Sequence, residues 1–147
     1  MAQGRIKMEG LEDLKANLLA LDEAVATKIG VKADRDAANI LKSALVEAAP
    51  YDPTAESPYG HLRENIRVRK QQVRTAHTIR YVVDTGKAFW GAFVELGTVK
   101  MAARPWMRPV FERLVAELRE AQEQGLRDGI EREAKRTARI AKRSGGG

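Results

Sequence analysis

The chain has 147 residues, of which 44% are hydrophobic and 31% are charged, and its formal net charge is +6. This length predicts about one domain that buries its own core. The absence of cysteine excludes disulfides, thiolate metal sites and cysteine nucleophiles. No apolar run reaches the roughly 18 residues that a transmembrane helix needs, and the N-terminus lacks the apolar segment of a signal peptide, which argues against secretion.

The positive charge is concentrated near the C-terminus. From Arg127 onward there are seven basic residues against three acidic ones, so four of the six excess charges lie there. A basic chain invites a nucleic-acid interpretation, because clustered Lys and Arg attract polyanions. The body of the chain, however, is only weakly basic.

The N-terminal half predicts one short strand and two helices. Ile6 and Met8 alternate with polar neighbours, as in a half-buried strand. Leucines at spacings of three and four predict a helix from about Leu11 to Leu21. A longer helix is predicted from about Glu23 to Ala49, with an alanine-rich face that would let it lie close against a sheet. Proline at position 50 ends this helix.

The middle of the chain predicts a loop followed by a hairpin. Three prolines between Pro50 and Gly60 favour an irregular loop. Beyond it, Ile66 and Val68 alternate with arginines, and a second alternating run contains Ile79, Tyr81 and Val83. These runs predict two antiparallel strands joined near residues 73–76.

The segment Lys87–Phe111 contains both tryptophans and all three phenylalanines. It predicts a third strand over about Ala88–Leu96, a turn at Gly97-Thr98, and an exposed loop over Lys100–Arg104. Proline at position 105 is expected to open a helix that continues to about Gly125. After it, Leu126, Ile130, Ala134, Ala138 and Ala141 recur nearly every four residues and predict a basic helical tail.

These elements predict an α+β fold. A small antiparallel sheet of three to four strands would pack against the long N-terminal helix and the C-terminal helix. We expect a single domain over residues 1–125, followed by the basic helical tail with a flexible glycine end over residues 126–147.

Catalytic chemistry finds little support in the sequence. His61 and His77 are not at metal-ligand spacing, and there is neither a Gly-x-Ser-x-Gly turn nor a glycine-rich phosphate loop. The sequence therefore predicts no enzyme activity, no metal and no cofactor. Six basic residues of the hairpin region could form a phosphate-binding surface or simply face water: Arg63, Arg67, Arg69, Lys70, Arg74 and Arg80. The basic tail could bind nucleic acid, pack on an acidic neighbouring subunit, or fray.

Four sequence pieces, in order, resemble a known family. They are G-L-E-D-L-K-A-N-L at Gly10–Leu18, the helix ending A-A-P at Ala48–Pro50, Y-G-H-L-R-E-N-I at Tyr59–Ile66, and F-V-E-L-G-T at Phe93–Thr98 followed by R-P-W-M-R-P at Arg104–Pro109. Together they resemble the tail-completion neck proteins of long-tailed phages, typified by gene product ten of the Hong Kong 97 phage. Tyr59 replaces the usual Thr of this family, Arg104 replaces a common Gln, and the basic tail is longer than the pattern requires.

The resemblance implies a non-enzymatic structural protein of the virion neck, assembled in the host cytoplasm. Such a subunit would form a hexamer-like or dodecamer-like ring, complete the tail tube, and join it to the head-tail connector or stopper protein. Genomic DNA would pass through the lumen without sequence-specific binding, and no membrane would be involved. The alternatives are a small basic nucleic-acid-binding protein and a toxin-like or regulatory protein.

The resemblance also suggests which residues make contacts. We expect Glu95, Thr98, Arg104, Trp106 and Arg108 to contact other subunits or neck proteins, with Phe93 and Leu96 as buried support. Alternatively, Trp106 only fills the junction between sheet and helix.

Overall fold

The computed structural model describes residues 10–72 and 79–146. Along these ranges the chain forms five helices and two strands: α1 (Leu11–Leu19), α2 (Glu23–Ala48), α3 (Leu62–Asn65), β1 (Arg67–Gln72), β2 (Ile79–Asp84), α4 (Trp90–Leu96) and α5 (Met107–Ser144). The α+β class predicted from the sequence is confirmed. The predicted strand around Ile6 and the hairpin turn near residues 73–76 lie outside the described residues.

The predicted hairpin is confirmed as an antiparallel pair. Its register pairs Arg67 with Asp84 at one end and Gln72 with Ile79 at the other. In the described part of the chain these two strands are the whole sheet, so the predicted count of three to four strands is not confirmed.

The predicted third strand is wrong, because most of Ala88–Leu96 is the helix α4. A short apolar run has no periodicity that separates a buried strand from a buried helix. Two features favour the helix here. Phe89, Phe93 and Leu96 recur at helical spacing, and Gly97 adopts a φ of 75° directly after the last turn, where it donates its N–H to the carbonyl of Phe93.

The long helices follow their predicted patterns with shifted ends. Helix α2 ends one residue before the predicted Ala49, and α1 ends two residues before the predicted Leu21. Helix α5 begins at Met107, so Pro105 lies before the helix and not at its first position. No break occurs at Gly125, and the predicted C-terminal helix and helical tail are one continuous element.

The described residues form two compact units. Asp34–Glu120 forms the central unit, and the described residues before Asp34 and after Glu120 form the terminal unit. The core of the central unit is a cluster of seven buried side chains: Leu45, Ala49, Leu62, Ile66, Ala88, Trp106 and Val110. The buried side chains of the terminal unit include Leu14, Ala33 and Ile130.

The terminal unit contains a close approach of α2 and α5. A Cβ atom added to Gly129 would lie 2.5 Å from Cγ2 of Ile29, and one added to Gly125 would lie 3.0 Å from Cβ of Ala33. Glycine and alanine therefore let the two helix backbones meet, because neither presents a side chain that would separate them. The small face of α2 was predicted to lie against a sheet; in this part of the helix it meets α5.

Candidate assembly surface

The Glu95 carboxylate accepts hydrogen bonds from the beginning of α5. Its Oε2 accepts hydrogen bonds from the backbone N–H groups of Trp106 at 2.6 Å and Met107 at 2.8 Å, and its Oε1 accepts one from Arg108 at 3.0 Å. The first N–H groups of a helix have no partner within the helix. The next residue is Pro109, which has no N–H. One carboxylate therefore satisfies three consecutive donors, across a separation of 11 to 13 residues.

The environment of Glu95 stabilises its charged form. Partial burial by itself raises the pKa of Glu95, but the hydrogen bonds from Met107, Trp106 and Arg108 outweigh that effect, and the pKa lies below its usual value. A negative charge at a helix N-terminus also interacts favourably with the helix dipole. Glu95 is thus an ionised cap that fixes where α5 begins.

Trp106 is a core residue of the central unit. Only 6% of its surface is exposed, and its indole Nε1–H donates to the carbonyl of Gly91 at 3.2 Å. Gly91 is itself tightly enclosed, since an added Cβ would lie 2.8 Å from Cδ1 of Leu62 and 2.9 Å from Cγ2 of Thr85. This burial agrees with the alternative in which Trp106 fills a junction, with the difference that the junction involves α4.

The loop between α4 and α5 is held at both ends. Thr98 and Met101 form an antiparallel bridge, with N–H to O distances of 2.8 and 3.2 Å. The N–H of Arg104 donates to the carbonyl of Val94 at 2.8 Å. Gly97 has no space for a side chain, because its Cβ would lie 2.7 Å from the backbone nitrogen of Ala103. The loop predicted to be exposed at Lys100–Arg104 is exposed, and it is a bonded turn.

Apolar side chains at the N-cap of α4, along α4 and on this turn face outward. Phe89, Phe93 and Leu96 lie at i, i+4 and i+7, and the rings of Phe89 and Phe93 meet edge to face at 5.9 Å. Leu96 is 74% exposed, Phe93 is 48% exposed, and Val99 at the tip of the turn is fully exposed. The prediction that Phe93 and Leu96 are buried support is therefore wrong. It assumed a strand that faced the core, whereas the α4 helix turns both side chains outward. We call Phe89, Phe93, Leu96 and Val99 the apolar ridge.

The five residues expected to make contacts thus divide into two groups. Glu95 and Trp106 hold α4, the turn and α5 together, while Thr98, Arg104 and Arg108 lie exposed around the turn. Their contact with other subunits stays a prediction. The exposed positions of Phe89 and Val99 were not predicted, although the spacing of Phe89, Phe93 and Leu96 fits one face of a helix.

The Tyr59–Ile66 motif is a second segment that is held in place by hydrogen bonds. The side-chain amide of Asn65 donates to the carbonyls of Tyr59 at 2.8 Å and His61 at 2.9 Å. Oε2 of Glu64 accepts from the N–H of His61 at 2.9 Å. The Arg63 guanidinium lies 3.8 Å from the ring centroid of Tyr51. These contacts fasten the proline-rich loop to α3, which gives the motif a structural role.

Two arginines of the predicted basic hairpin are already paired. Nε of Arg67 lies 2.8 Å from Oδ1 of Asp84, and Arg69 bonds the other oxygen of the same carboxylate. Burial by itself raises the pKa of Asp84, but hydrogen bonds from Arg69, Arg67 and the N–H of Gly86 lower it to about 2. This pairing favours a solvated strand surface over a phosphate-binding one. Arg74 and His77 lie outside the described residues.

The described ranges contain neither a metal-binding cluster nor a membrane-spanning helix. Residues 10–72 and 79–146 contain no group of three or more His, Asp or Glu side chains arranged to hold a metal ion. Among the helices of those ranges, none combines the length and apolar composition needed to cross a membrane.

The family assignment rests on residues 12–97, which match the family described as bacteriophage HK97-gp10, putative tail-component. This is more than half of the chain and includes most of α1, all of α2 to α4, and the hairpin. The chain belongs to this family. No curated protein and no solved structure matches it.

Membership in the HK97-gp10-like family identifies a phage tail component, a structural protein of the virion. The matched region ends at Gly97, so it contains Glu95 and most of the apolar ridge but not Trp106 or Arg108. The R-P-W-M-R-P segment is joined to the matched region through Glu95, whose hydrogen bonds cross the end of the match.

Proposed function

We propose that this chain is a ring-forming tail-completion subunit, or tail terminator, which caps the tail tube and joins the tail to the head connector. Family membership supports a place in the phage tail. The exposed apolar ridge supports assembly with other subunits. Large apolar side chains that protrude together from a soluble chain mark interaction sites. The proposed occupant of the ridge is a second copy of this chain.

The rigidity of the ridge supports its use as a contact. Binding costs less free energy when the contacting segment is already ordered. Here the turn is closed by the bridge between Thr98 and Met101, and α4 is tied to α5 through Glu95 and Trp106. In this proposal Thr98, Arg104 and Arg108 form the polar rim, and Glu95 and Trp106 act by positioning the ridge.

A ring requires a contact between two different surfaces of neighbouring copies, related by a rotation that closes. In this proposal the ridge is the first of these surfaces, and it docks on a different surface of the next copy. The proposed ring is hexamer-like or dodecamer-like. One face would meet the tail tube protein and the other the connector or stopper protein, with DNA passing through the lumen.

The test compares the full-length chain with two double variants by native mass spectrometry and negative-stain imaging. We expect the wild type to form closed rings, either alone, with masses that are multiples of 16.3 kDa, or together with its tail tube protein. Leu96→Ser with Val99→Ser should abolish the rings, because it removes the two most exposed apolar side chains of the ridge. The matched control, Leu19→Ser with Ile140→Ser, changes two exposed apolar residues of the terminal unit and should leave them intact.

Two results would contradict the proposal. One is a wild-type chain that stays monomeric both alone and with its tail tube protein. The other is equal loss of rings in the ridge variant and the control variant, which would mean that any loss of exposed apolar surface has the same effect.

A further inference from the structure

A groove in the terminal unit has positively charged walls. It lies where α2 and α5 meet, with Val25, Ile29 and Gly129 among its apolar lining. Six of its lining residues are basic: Lys28, Lys32, Arg132, Lys135, Arg136 and Arg139. Glu133 is the one acidic residue that lines it, and this carboxylate bonds Arg136, with Nη2 and Oε1 3.1 Å apart. Cations on both walls strongly outnumber acids.

Two neighbouring acids leave the surface with an excess of positive charge. Asp128 and Glu131 lie beside Arg132 and Lys135 in an adjoining depression. Asp128 already accepts a hydrogen bond from the amide of Gln124 at 2.8 Å. Even with these two carboxylates included, the surface has twice as many cations as acids.

The basic stripe continues past the groove along α5. Arg132, Lys135, Arg136 and Arg139 are followed at the same helical spacing by Lys142 and Arg143, and all six are exposed. At about 1.5 Å per residue the stripe is roughly 16 Å long. A favourable interaction with the helix dipole explains basic residues only in the last turn. It explains neither Arg132 to Arg139 nor the lysines on α2.

We propose that this cationic groove binds the phosphate backbone of double-stranded DNA without reading its sequence. Like charges on facing walls repel one another, and a continuous polyanion between them removes that repulsion. Duplex DNA presents one negative charge per about 1.7 Å of axis when both strands are counted, so a stripe of this length faces several phosphates whatever the base sequence. An acidic protein segment would need carboxylates matched in position. Arg guanidinium groups, which form half of the groove cations, also suit the two-oxygen geometry of phosphate.

The inference stands on the groove alone and does not depend on ring formation. The probe is a random-sequence duplex of about 30 base pairs, whose affinity for the full-length chain is measured by fluorescence anisotropy from about 50 to about 200 mM salt. The groove variant combines Arg132→Gln, Lys135→Gln, Arg136→Gln and Arg139→Gln. The matched control removes four exposed cations elsewhere: Lys15→Gln, Lys87→Gln, Arg113→Gln and Arg119→Gln.

The groove variant should weaken DNA binding at least about tenfold and reduce the salt slope by about 2 to 4, since each lost phosphate contact contributes about 0.9. The control should stay within about twofold of the wild type. A third variant, with Arg132, Arg136 and Arg139 each changed to Lys, keeps the charge and should keep most of the affinity. Circular dichroism of all variants confirms that the helices are retained.

Three results would overturn the proposal. Equal losses in the groove and control variants would assign the binding to net charge alone. Displacement of DNA by polyglutamate at lower charge concentration than by unlabelled DNA would assign the groove to an acidic protein partner. Rings lost in the groove variant while DNA affinity is unchanged would assign it to contact between subunits.

Discussion

Glu95 connects parts of the chain that the sequence presents as separate motifs. It belongs to F-V-E-L-G-T, and the N–H groups that it accepts from belong to R-P-W-M-R-P. Pro109 follows the third donor and has no N–H. The backbone of residues 106–109 therefore needs no further hydrogen-bond acceptor. The turn between the motifs is exposed, and it is closed by the bridge between Thr98 and Met101 and by the hydrogen bond from Arg104 to Val94.

We predict that Glu95→Gln destabilises the chain by about 1–2 kcal/mol at neutral pH, since an amide offers one acceptor oxygen and no charge to the helix N-terminus. The folded-state pKa of Glu95 is lowered, so its contribution is present above the unfolded pKa of about 4.3 and is lost as the pH falls through the folded pKa. The difference between variant and wild type should therefore shrink in acid.

Urea unfolding at neutral pH and below about pH 4 measures this difference. Glu117→Gln, on the exposed side of α5, is the control and should have little effect at either pH. A Glu95→Gln penalty that stays the same in acid would show that the carboxylate charge contributes nothing.

The residue scale is where the sequence was least informative. The contacts of Glu95 and Trp106 with other subunits stay a prediction, but the sequence did not show that Glu95 caps a helix, and it offered the filling role of Trp106 only as an alternative. Both roles depend on hydrogen-bond partners 11 to 15 residues away. The periodicity of a single helix or strand does not reveal such partners. The exposed positions of Thr98, Arg104 and Arg108 agree with what a contact residue requires.

At the scale of elements, regular patterns predicted structure well and short runs did not. Helix α2 was found from a spacing sustained over 26 residues, and the six-residue hairpin strands were found because their apolar residues alternate with polar ones. Helix α4 is seven residues long, and such a run of mostly apolar residues fits either a strand or a helix. The consequence reaches function, because a strand would have buried Phe93 and Leu96, whereas the helix exposes them.

The glycines of α2 and α5 allow a paired prediction. Alanine is favoured over glycine in a helix by about 1 kcal/mol. At Gly30 an added Cβ meets nothing within 4 Å, so Gly30→Ala should stabilise the chain by about 0.5–1 kcal/mol. At Gly129 the added Cβ would lie 2.5 Å from Cγ2 of Ile29. This methyl is stiff because Ile is β-branched, so Gly129→Ala should destabilise by about 1–2 kcal/mol.

Thermal unfolding measures the change in stability of each single variant. Ile29→Ala removes the obstructing methyl, so the double variant Ile29→Ala, Gly129→Ala should be more stable than the sum of its single effects predicts. Strict additivity would mean that Gly129 does not set the approach of the two helices. Equal stabilisation by Gly30→Ala and Gly129→Ala would lead to the same conclusion.

At the scale of the whole molecule, composition and motifs predicted the class of protein more securely than its division into units. The α+β class and the phage family are confirmed, while the boundary predicted at Gly125 stays a prediction. That boundary was drawn where the apolar pattern weakens and basic residues accumulate. Ile130 lies beyond it and is nonetheless buried, and Gly129 is where α5 meets Ile29. An alanine-rich, basic helix segment shows little sign of such packing in its sequence.

Truncation decides between a separate tail and an integral one. Helix α1 has nine residues, and isolated helices shorter than about 12–15 residues are marginal in water, so α1 depends on packing within the terminal unit.

A chain that ends at Gly125 loses Gly129 and Ile130, and we expect the α1 amides to exchange hydrogen at least about tenfold faster. A chain that ends at Ala134 keeps both residues but loses five cations of the basic stripe, and it should protect α1 as the full chain does. Hydrogen exchange followed by mass spectrometry gives this comparison directly. If the chain that ends at Gly125 protects α1 fully, residues 126–147 are a separate tail, and the basic stripe is attached to the protein without contributing to its fold.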